Sequence, residues 1–221
     1  MTQKIGVLGS GDVAKTLAAG FKKHGYDVII GSRTPEKLAS WAAEAGIATG
    51  TFAETADRGE IVVLAVAGKV AEEALKLATA KAIANKIVID VTNPIADAPP
   101  DHGVLRFFTG VNDSLMERLQ AAYPEARFVK AFNTVGNAFM VDPHFPSGKP
   151  TMFYCGNDAA AKAETAVIIR KFGWEAEDMG FCESARPLES LCQLWCVPGM
   201  LRNEWTHAFA MFKLAPVPSG R

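Results

Sequence analysis

The chain has 221 residues, 49% hydrophobic and 21% charged, with a formal net charge of −1. This suits a folded soluble protein with a sizeable core, and the near-neutral balance excludes any global electrostatic case for nucleic acid or an anionic membrane as partner. No apolar run approaches a membrane span, glycines interrupt the N-terminus before a signal-peptide stretch could form, and four cysteines without a close CxxC pair (155, 182, 192, 196) read as free thiols, so a cytoplasmic location is expected.

In chain order, Lys4–Leu8 is a short β-branched strand, and Val13–His24 carries Val13, Leu17, Ala18 and Phe21 at helical spacing. Tyr26–Ile30 is a second strand, and Pro35–Ala45 a helix with Thr34 as its N-cap. A short strand is expected near Ala48–Phe52. Ile61–Val66 is an unbroken apolar strand of the kind covered on both faces. Val70–Lys81 reads as a helix, Lys86–Val91 as a strand, and Asp113–Ala122 as a helix after a loop rich in Pro and Asp. Arg127–Asn133 and Thr151–Cys155 read as strands, Ala159–Phe172 as a helix and Trp174–Met179 as a last strand. The rhythm predicts an α/β fold, a Rossmann-type doubly wound parallel sheet within one domain over 1–221. A C-terminal helical extension over about 184–214, interrupted at Pro198-Gly199, breaks the rhythm, and the Pro-Val-Pro-Ser-Gly-Arg end reads as a loose tail.

Gly9-Ser10-Gly11-Asp12-Val13-Ala14 follows the first strand and opens the first helix, matching G-x-G-x-x-G/A. Gly9 allows a tight turn, Gly11 lets backbone approach a pyrophosphate, Ala14 keeps helix and sheet close, and the helix N-terminus offers free N–H groups. A lone match could be an ordinary glycine turn; strand before, helix after and a second strand at the expected distance favour dinucleotide binding.

Gly31 lies 20 residues after Gly11. An NAD site usually has an acid near this point, holding the ribose 2′-hydroxyl. Here Ser32 and Arg33 follow, with Lys37 one turn on. A hydroxyl, a guanidinium and an ammonium suit a 2′-phosphate, so NADP(H) is the expected cofactor. A solvated basic helix start is the plain alternative, disfavoured by the helix dipole.

The sequence resembles the reductases that couple NADP to the deazaflavin coenzyme F-420. It also resembles the cytosolic oxidoreductase domain of the six-transmembrane metalloreductases, which joins NADPH to a flavin. The matching residues are GVLGSGDVAKTL, the IIGSR at 29–33 with Lys37, VVLAV at 62–66, IDVTNP at 89–94, KAFNTVGN at 130–137 and YCGND at 154–158. The resemblance implies that Ser10, Gly11, Asp12 and Val13 contact the pyrophosphate and that Ser32, Arg33 and Lys37 hold the 2′-phosphate. It also implies that Val66 and Ala67 line the nicotinamide ribose, Asn93 approaches the nicotinamide, and Thr134, Val135, Gly136 and Asn137 lie near the carboxamide and a second ring system. At Ala67-Gly68 the chain departs from deazaflavin reductases, which tend to carry a Pro or bulky residue there, so the family fixes NADP more firmly than the hydride partner. From the residues alone, Asn93-Pro94 also reads as a simple turn, and Asn133 and Thr134 as turn caps.

The implied activity is hydride transfer between NADPH and coenzyme F-420, FMN or FAD. It needs little acid–base help, and no catalytic side chain or metal set stands out. His24, His102, His144 and His207 are scattered and read as surface or loop residues. Cys192 and Cys196 share a helix face, read as core before a redox or metal pair. Asp and Glu read as solvated helix faces. The aromatic C-terminal segment is read as a wall of a flavin pocket, a homodimer interface or packing on the sheet. A β-hydroxyacid or pyrroline-carboxylate dehydrogenase would carry a longer helical domain than the about 40 residues left after the last strand. A non-catalytic NADP(H) sensor is the remaining alternative.

Overall fold

Successive strand residues point to opposite faces, and this alternation assigns the helices to two layers. In the computed structural model, which describes residues 2–214, Ile61 and Val63 face one core while Val62 and Leu64 face the other. Ile87 and Ile89 are likewise separated from Val88.

The strands are β1 (Lys4–Leu8), β2 (Asp27–Gly31), β3 (Ala48–Gly50), β4 (Ile61–Leu64), β5 (Ile87–Asp90), β6 (Arg127–Lys130), β7 (Thr151–Gly156) and β8 (Glu175–Asp178). The α-helices are α1 (Asp12–Lys23), α2 (Ala39–Ala45), α3 (Phe52–Arg58), α4 (Ala71–Ala78), α5 (Ala80–Ile83), α6 (Leu115–Ala122), α7 (Ala159–Lys171) and α8 (Ala185–Arg202). The sheet order is β3-β2-β1-β4-β5-β6-β7-β8. One core joins α1 and α7 to the sheet through Leu17, Phe21, Ile168 and Phe172. The other joins α3, α4, α6 and α8 through Phe52, Leu75, Leu119 and Leu188. Burying each such side chain contributes about 1.5–3 kcal/mol.

The doubly wound architecture agrees with the sequence, with four differences. First, β7 runs antiparallel to β6, pairing Lys130 with Cys155, so the sheet is mixed. Residues 131–150 form no α-helix, so nothing carries the chain back across the sheet, and it re-enters from the edge where β6 ends. Second, α3 follows β3 at once, where only a strand was expected. Its start is a capping box: Thr51 Oγ1 accepts from Glu54 N–H, and Glu54 accepts from Thr51 N–H at 2.8 Å. Third, the helix expected over 70–81 is split into α4 and α5 by Thr79, whose φ is +73°, and the one expected over 35–45 starts as a 3-10 turn, Pro35–Leu38.

Fourth, Pro198 does not interrupt the last helix. A mid-helix proline removes one hydrogen bond, but α8 continues to Arg202, held by buried Trp195, Cys196 and Gly199, the last in contact with Trp205. Nor is there a second helix: Asn203 turns the chain in the left-handed region, and residues 203–214 run back as an irregular strap. Thr151 N–H donates to Phe209 O at 2.9 Å, tying the strap to β7. The proline-rich tail lies outside the described residues. Among the described residues no helix is long and apolar enough to cross a membrane, and all four cysteines are free and buried.

Candidate functional site

The carboxyl ends of the parallel strands are where open α/β sheets bind ligands. Two adjoining cavities open there and share Gly11, Ala65, Val66 and Ala67. The first runs over the turn between β1 and α1. Gly9 holds φ +145°, and a side chain there would strike Ala65 O at 2.2 Å, so the position admits only glycine. Gly11 differs: it has ordinary φ, and a Cβ built on it meets no protein atom within 4 Å. Its missing side chain leaves space for a ligand beside the helix start. No side chain caps α1, so its first N–H groups remain available to a diphosphate.

The far end of this cavity is walled by Ser32, Arg33, Thr34 and Lys37 from the β2 side and by Val70, Glu73 and Ala74 from α4 and the turn before it. Ser32 is buried, and its Oγ accepts from Thr34 N–H at 2.9 Å, which leaves the hydroxyl proton free to donate. Arg33 and Lys37 are exposed. Arg33 Nη1 lies 3.6 Å from Glu73 Oε1 across the cavity.

The second cavity lies on the other side of Gly11. Asp12, Val13, Val66, Ala67, Thr92, Asn93, Ile95 and Asn137 line it, and Lys69 and Asp97 pair at its rim at 2.9 Å. The sequence-derived residues Gly9, Ser10, Gly11, Asp12, Val13, Ser32, Arg33, Lys37, Val66, Ala67, Asn93 and Asn137 thus border one continuous cleft. Thr134, Val135 and Gly136 do not line it. Thr134 and Val135 are buried, and Gly136 backs onto Trp195, whose ring a Cβ would meet at 2.8 Å. The turn before them is tight: buried Phe132 has φ +60°, a conformation that side chains rarely adopt.

Beneath the second cavity lies a group that the sequence reading did not single out. Lys130 is fully buried, and its Nζ lies 2.7 Å from Asp90 Oδ2 and 3.0 Å from Glu189 Oε1, and donates to Thr92 O at 2.7 Å. The ammonium thus donates to one backbone carbonyl and lies at ion-pair distance from two carboxylates, while Asp90 Oδ2 has no hydrogen-bond donor among the described residues. Burial alone would lower the Lys130 pKa, but the two carboxylates outweigh it and hold it above the ordinary value. Glu189 also accepts from Leu115 N–H at 2.9 Å and Met116 N–H at 3.1 Å, so it caps α6 from α8. Asp90 Oδ1 accepts from Thr92 N–H and Oγ1–H. These acids correct the expectation that Asp and Glu are solvated. A signal was present: a Lys and an Asp closing apolar strands of a doubly covered sheet must be buried, and buried charges require partners.

Two of the histidines read as surface or loop residues do lie outside helices and strands, but each has a partner: His24, half-buried after α1, has Nε2 2.9 Å from Asp142, and His207, in the strap, stacks on Trp195 at 4.9 Å while its Nε2 meets Trp195 O. Cys192 and Cys196 lie in a small core cluster with Leu105 and Trp195, as the core-face reading expects.

Residues 4–94, which contain β1 to β5 and both glycine-turn and basic motifs, match the family described as NADP oxidoreductase, coenzyme F420-dependent. Over 203 residues the chain is 32% identical to a rat protein named Metalloreductase STEAP3, covering 90% of this chain but only 39% of that protein. It is 29% identical over 203 residues to an F420-dependent NADP reductase of Methanothermobacter marburgensis, covering 86% of this chain and 90% of that enzyme. A crystal structure from Arthrobacter sp. FB24, named provisionally as an F420-dependent NADP-reductase, superposes with a TM-score of 0.89 at 32% identity, over 96% of this chain and all of that one.

Proposed function

Because the chain belongs to the coenzyme F420-dependent NADP oxidoreductase family, and is therefore an NADP-dependent oxidoreductase, we propose that it transfers hydride between NADPH and a deazaflavin of the coenzyme F420 type. The observation that carries this reading is the single cleft running from Ser32, Arg33 and Lys37, past the uncapped start of α1, to Asn93. A dinucleotide needs all three in that order: donors for a 2′-phosphate, N–H groups for a diphosphate, and a polar wall for a carboxamide. The space beside Gly11 and the free donors of α1 fit the diphosphate.

Nicotinamide, when bound, supplies the hydride that the acceptor takes up. The protein's part is position and dryness. Ser32, Arg33 and Lys37 hold one end of the cofactor by charge-assisted hydrogen bonds. The α1 N-terminus fixes the middle. Val66 and Val13 supply apolar walls that exclude water, and Asn93 offers an amide to the nicotinamide end. Ile95 and the rim pair of Lys69 and Asp97 border the open side of the second cavity and would flank an acceptor bound there. A flavin acceptor is the second reading; it rests on the resemblance of the sequence motifs to the oxidoreductase domain of the metalloreductases, to one of which the chain is 32% identical.

The test is stopped-flow mixing of the protein with NADPH and, in separate runs, coenzyme F420, FMN and FAD. Fast bleaching of F420 absorbance with stoichiometric loss of NADPH is expected. Tight NADPH binding with no reduction of any acceptor would overturn the reading in favour of a non-catalytic NADP(H)-binding protein.

A further inference from the structure

The buried Asp90, Lys130 and Glu189 group has a cost that packing alone does not explain. Taking three charges out of water is expensive, and such clusters are often no more stabilising than apolar side chains of the same volume. What distinguishes this one is where its hydrogen bonds lead. Two of its members converge on Thr92: Lys130 holds the Thr92 carbonyl at 2.7 Å, and Asp90 holds the Thr92 N–H at 2.9 Å and hydroxyl at 2.7 Å. With the backbone on both sides fixed and the side chain pinned, Thr92 has no freedom left, and it is the residue before Asn93.

Asn93 is then fixed a second time. Its Nδ2–H donates to Asn133 O at 2.9 Å, and its Oδ1 accepts from Asn133 Nδ2–H at 3.0 Å. Asn133 Nδ2–H donates further to Leu188 O at 3.0 Å, on α8 and next to Glu189. The path therefore closes on itself, from Glu189 through Lys130, Asp90, Thr92, Asn93 and Asn133 back to α8. Asn133 Oδ1 is buried with no partner among the described residues. An orphaned buried acceptor is costly, so the amide is held by its other bonds in an orientation that its own satisfaction would not select. Asn93 is left half-buried at the wall of the second cavity, with one amide N–H that no acceptor takes among the described residues.

We infer that Glu189 is a positioning residue: through Lys130 and Asp90 it sets the orientation in which Asn93 meets the nicotinamide end of the cofactor. Helix α8 thereby reports to the reacting end of the cleft without lining it. This rests on the function proposed above as to which end of the cleft holds the nicotinamide, while the geometry of the circuit stands apart from that reading.

The test uses Glu189→Gln in the full chain. The amide keeps the shape but loses the negative charge facing Lys130, and its NH2 cannot accept, so at least one of the bonds from the α6 N–H groups or Lys130 is lost. Two readouts are taken. Side-chain amide resonances of Asn93 and Asn133, assigned by two-dimensional NMR, are expected to shift. In single-turnover mixing with coenzyme F420, the rate constant for oxidation of bound NADPH is expected to fall about tenfold, as small misplacements of reacting groups do, while the Kd for NADPH changes less than about twofold. Unshifted resonances, or an unchanged rate constant in a variant that melts at a lower temperature, would overturn the inference and leave Glu189 a structural cap. If Glu189→Gln does not fold, Asp90→Asn is read the same way, since it keeps one acceptor for Thr92 and loses the Lys130 partner. If the wild-type protein reduces no acceptor, the proposed function fails, and the resonance shifts still decide whether Glu189 orients Asn93.

Discussion

Replacing Arg33 by Ala removes the guanidinium that faces the first cavity. In the free protein Arg33 has one ionic neighbour, Glu73 at 3.6 Å, with side chains 65% and 57% exposed. An exposed pair of this kind contributes at most about 1 kcal/mol. A charge-assisted hydrogen bond to a 2′-phosphate contributes about 1.5–3 kcal/mol. Binding exchanges the first for the second, so the net contribution of Arg33 is roughly 0.5–3 kcal/mol. The variant also leaves Glu73 facing the phosphate without a counter-charge, which adds to the loss. At 1.4 kcal/mol per decade, NADPH should bind about tenfold more weakly. NADH has no 2′-phosphate, and its affinity should stay within about twofold. Titrations of both cofactors, followed by nicotinamide fluorescence at low and at high salt, measure this. The NADPH loss should shrink as salt screens the exposed charges. Equal losses for both cofactors, or none for NADPH, would refute the assignment of the β2 end to the 2′-phosphate.

Glu73→Gln should act in the opposite sense, tightening NADPH about two- to fivefold at low salt without altering NADH, because it frees Arg33 and removes a like charge; calorimetric titration reads this, and weaker NADPH binding would contradict it. Lys130→Met leaves two buried carboxylates without a counter-ion and should cost about 3–5 kcal/mol in urea unfolding. Thr51→Ala removes the capping box of α3 and should cost about 1 kcal/mol, with little change in NADPH affinity. Burial pushes the Cys155 thiol up to about 12, so an aromatic disulfide reagent at pH 8 should leave it unmodified until the protein unfolds. The unfolded thiol ionises near about 8.5, so the folded state holds its proton where the unfolded state releases it. This contribution to stability is intact below about pH 8.5 and declines as pH rises towards about 12, which chemical denaturation at stepped pH would detect.

The parts of the fold carried by periodicity were legible before the structure. Continuous apolar runs such as Ile61–Leu64 announced strands covered on both faces, and G-x-G-x-x-A with the basic cluster 20 residues later announced one half of the cleft. What was not legible depends on partners distant in sequence. Nothing near Glu189 says that it will meet Lys130, because the residues lie on α8 and β6 and come together only once the second core has formed. Pro198 speaks locally for a helix end, and only contact with Trp205 and the surrounding core overrides it. The reversal of β7 is a property of what residues 131–150 fail to form. The α3 helix is the exception: the Thr51 and Glu54 spacing was readable, but at 7 residues the helix is too short for a periodicity argument that needs longer windows.

That reversal gives the molecule two poles with different tolerances. Because β7 starts where β6 ends, the chain leaves it at Asn157 and Asp158, beside Arg127 at the opposite pole from the cleft. The turn after β8 returns there too, with Gly156 N–H donating to Gly180 O. Grafts, fluorophores or affinity handles attached between Met179 and Phe181 would sit remote from the cofactor, whereas the same insertion into the 131–150 connection would disturb it. The turn after β8 therefore provides a natural attachment point for immobilising the protein with its cleft facing solvent.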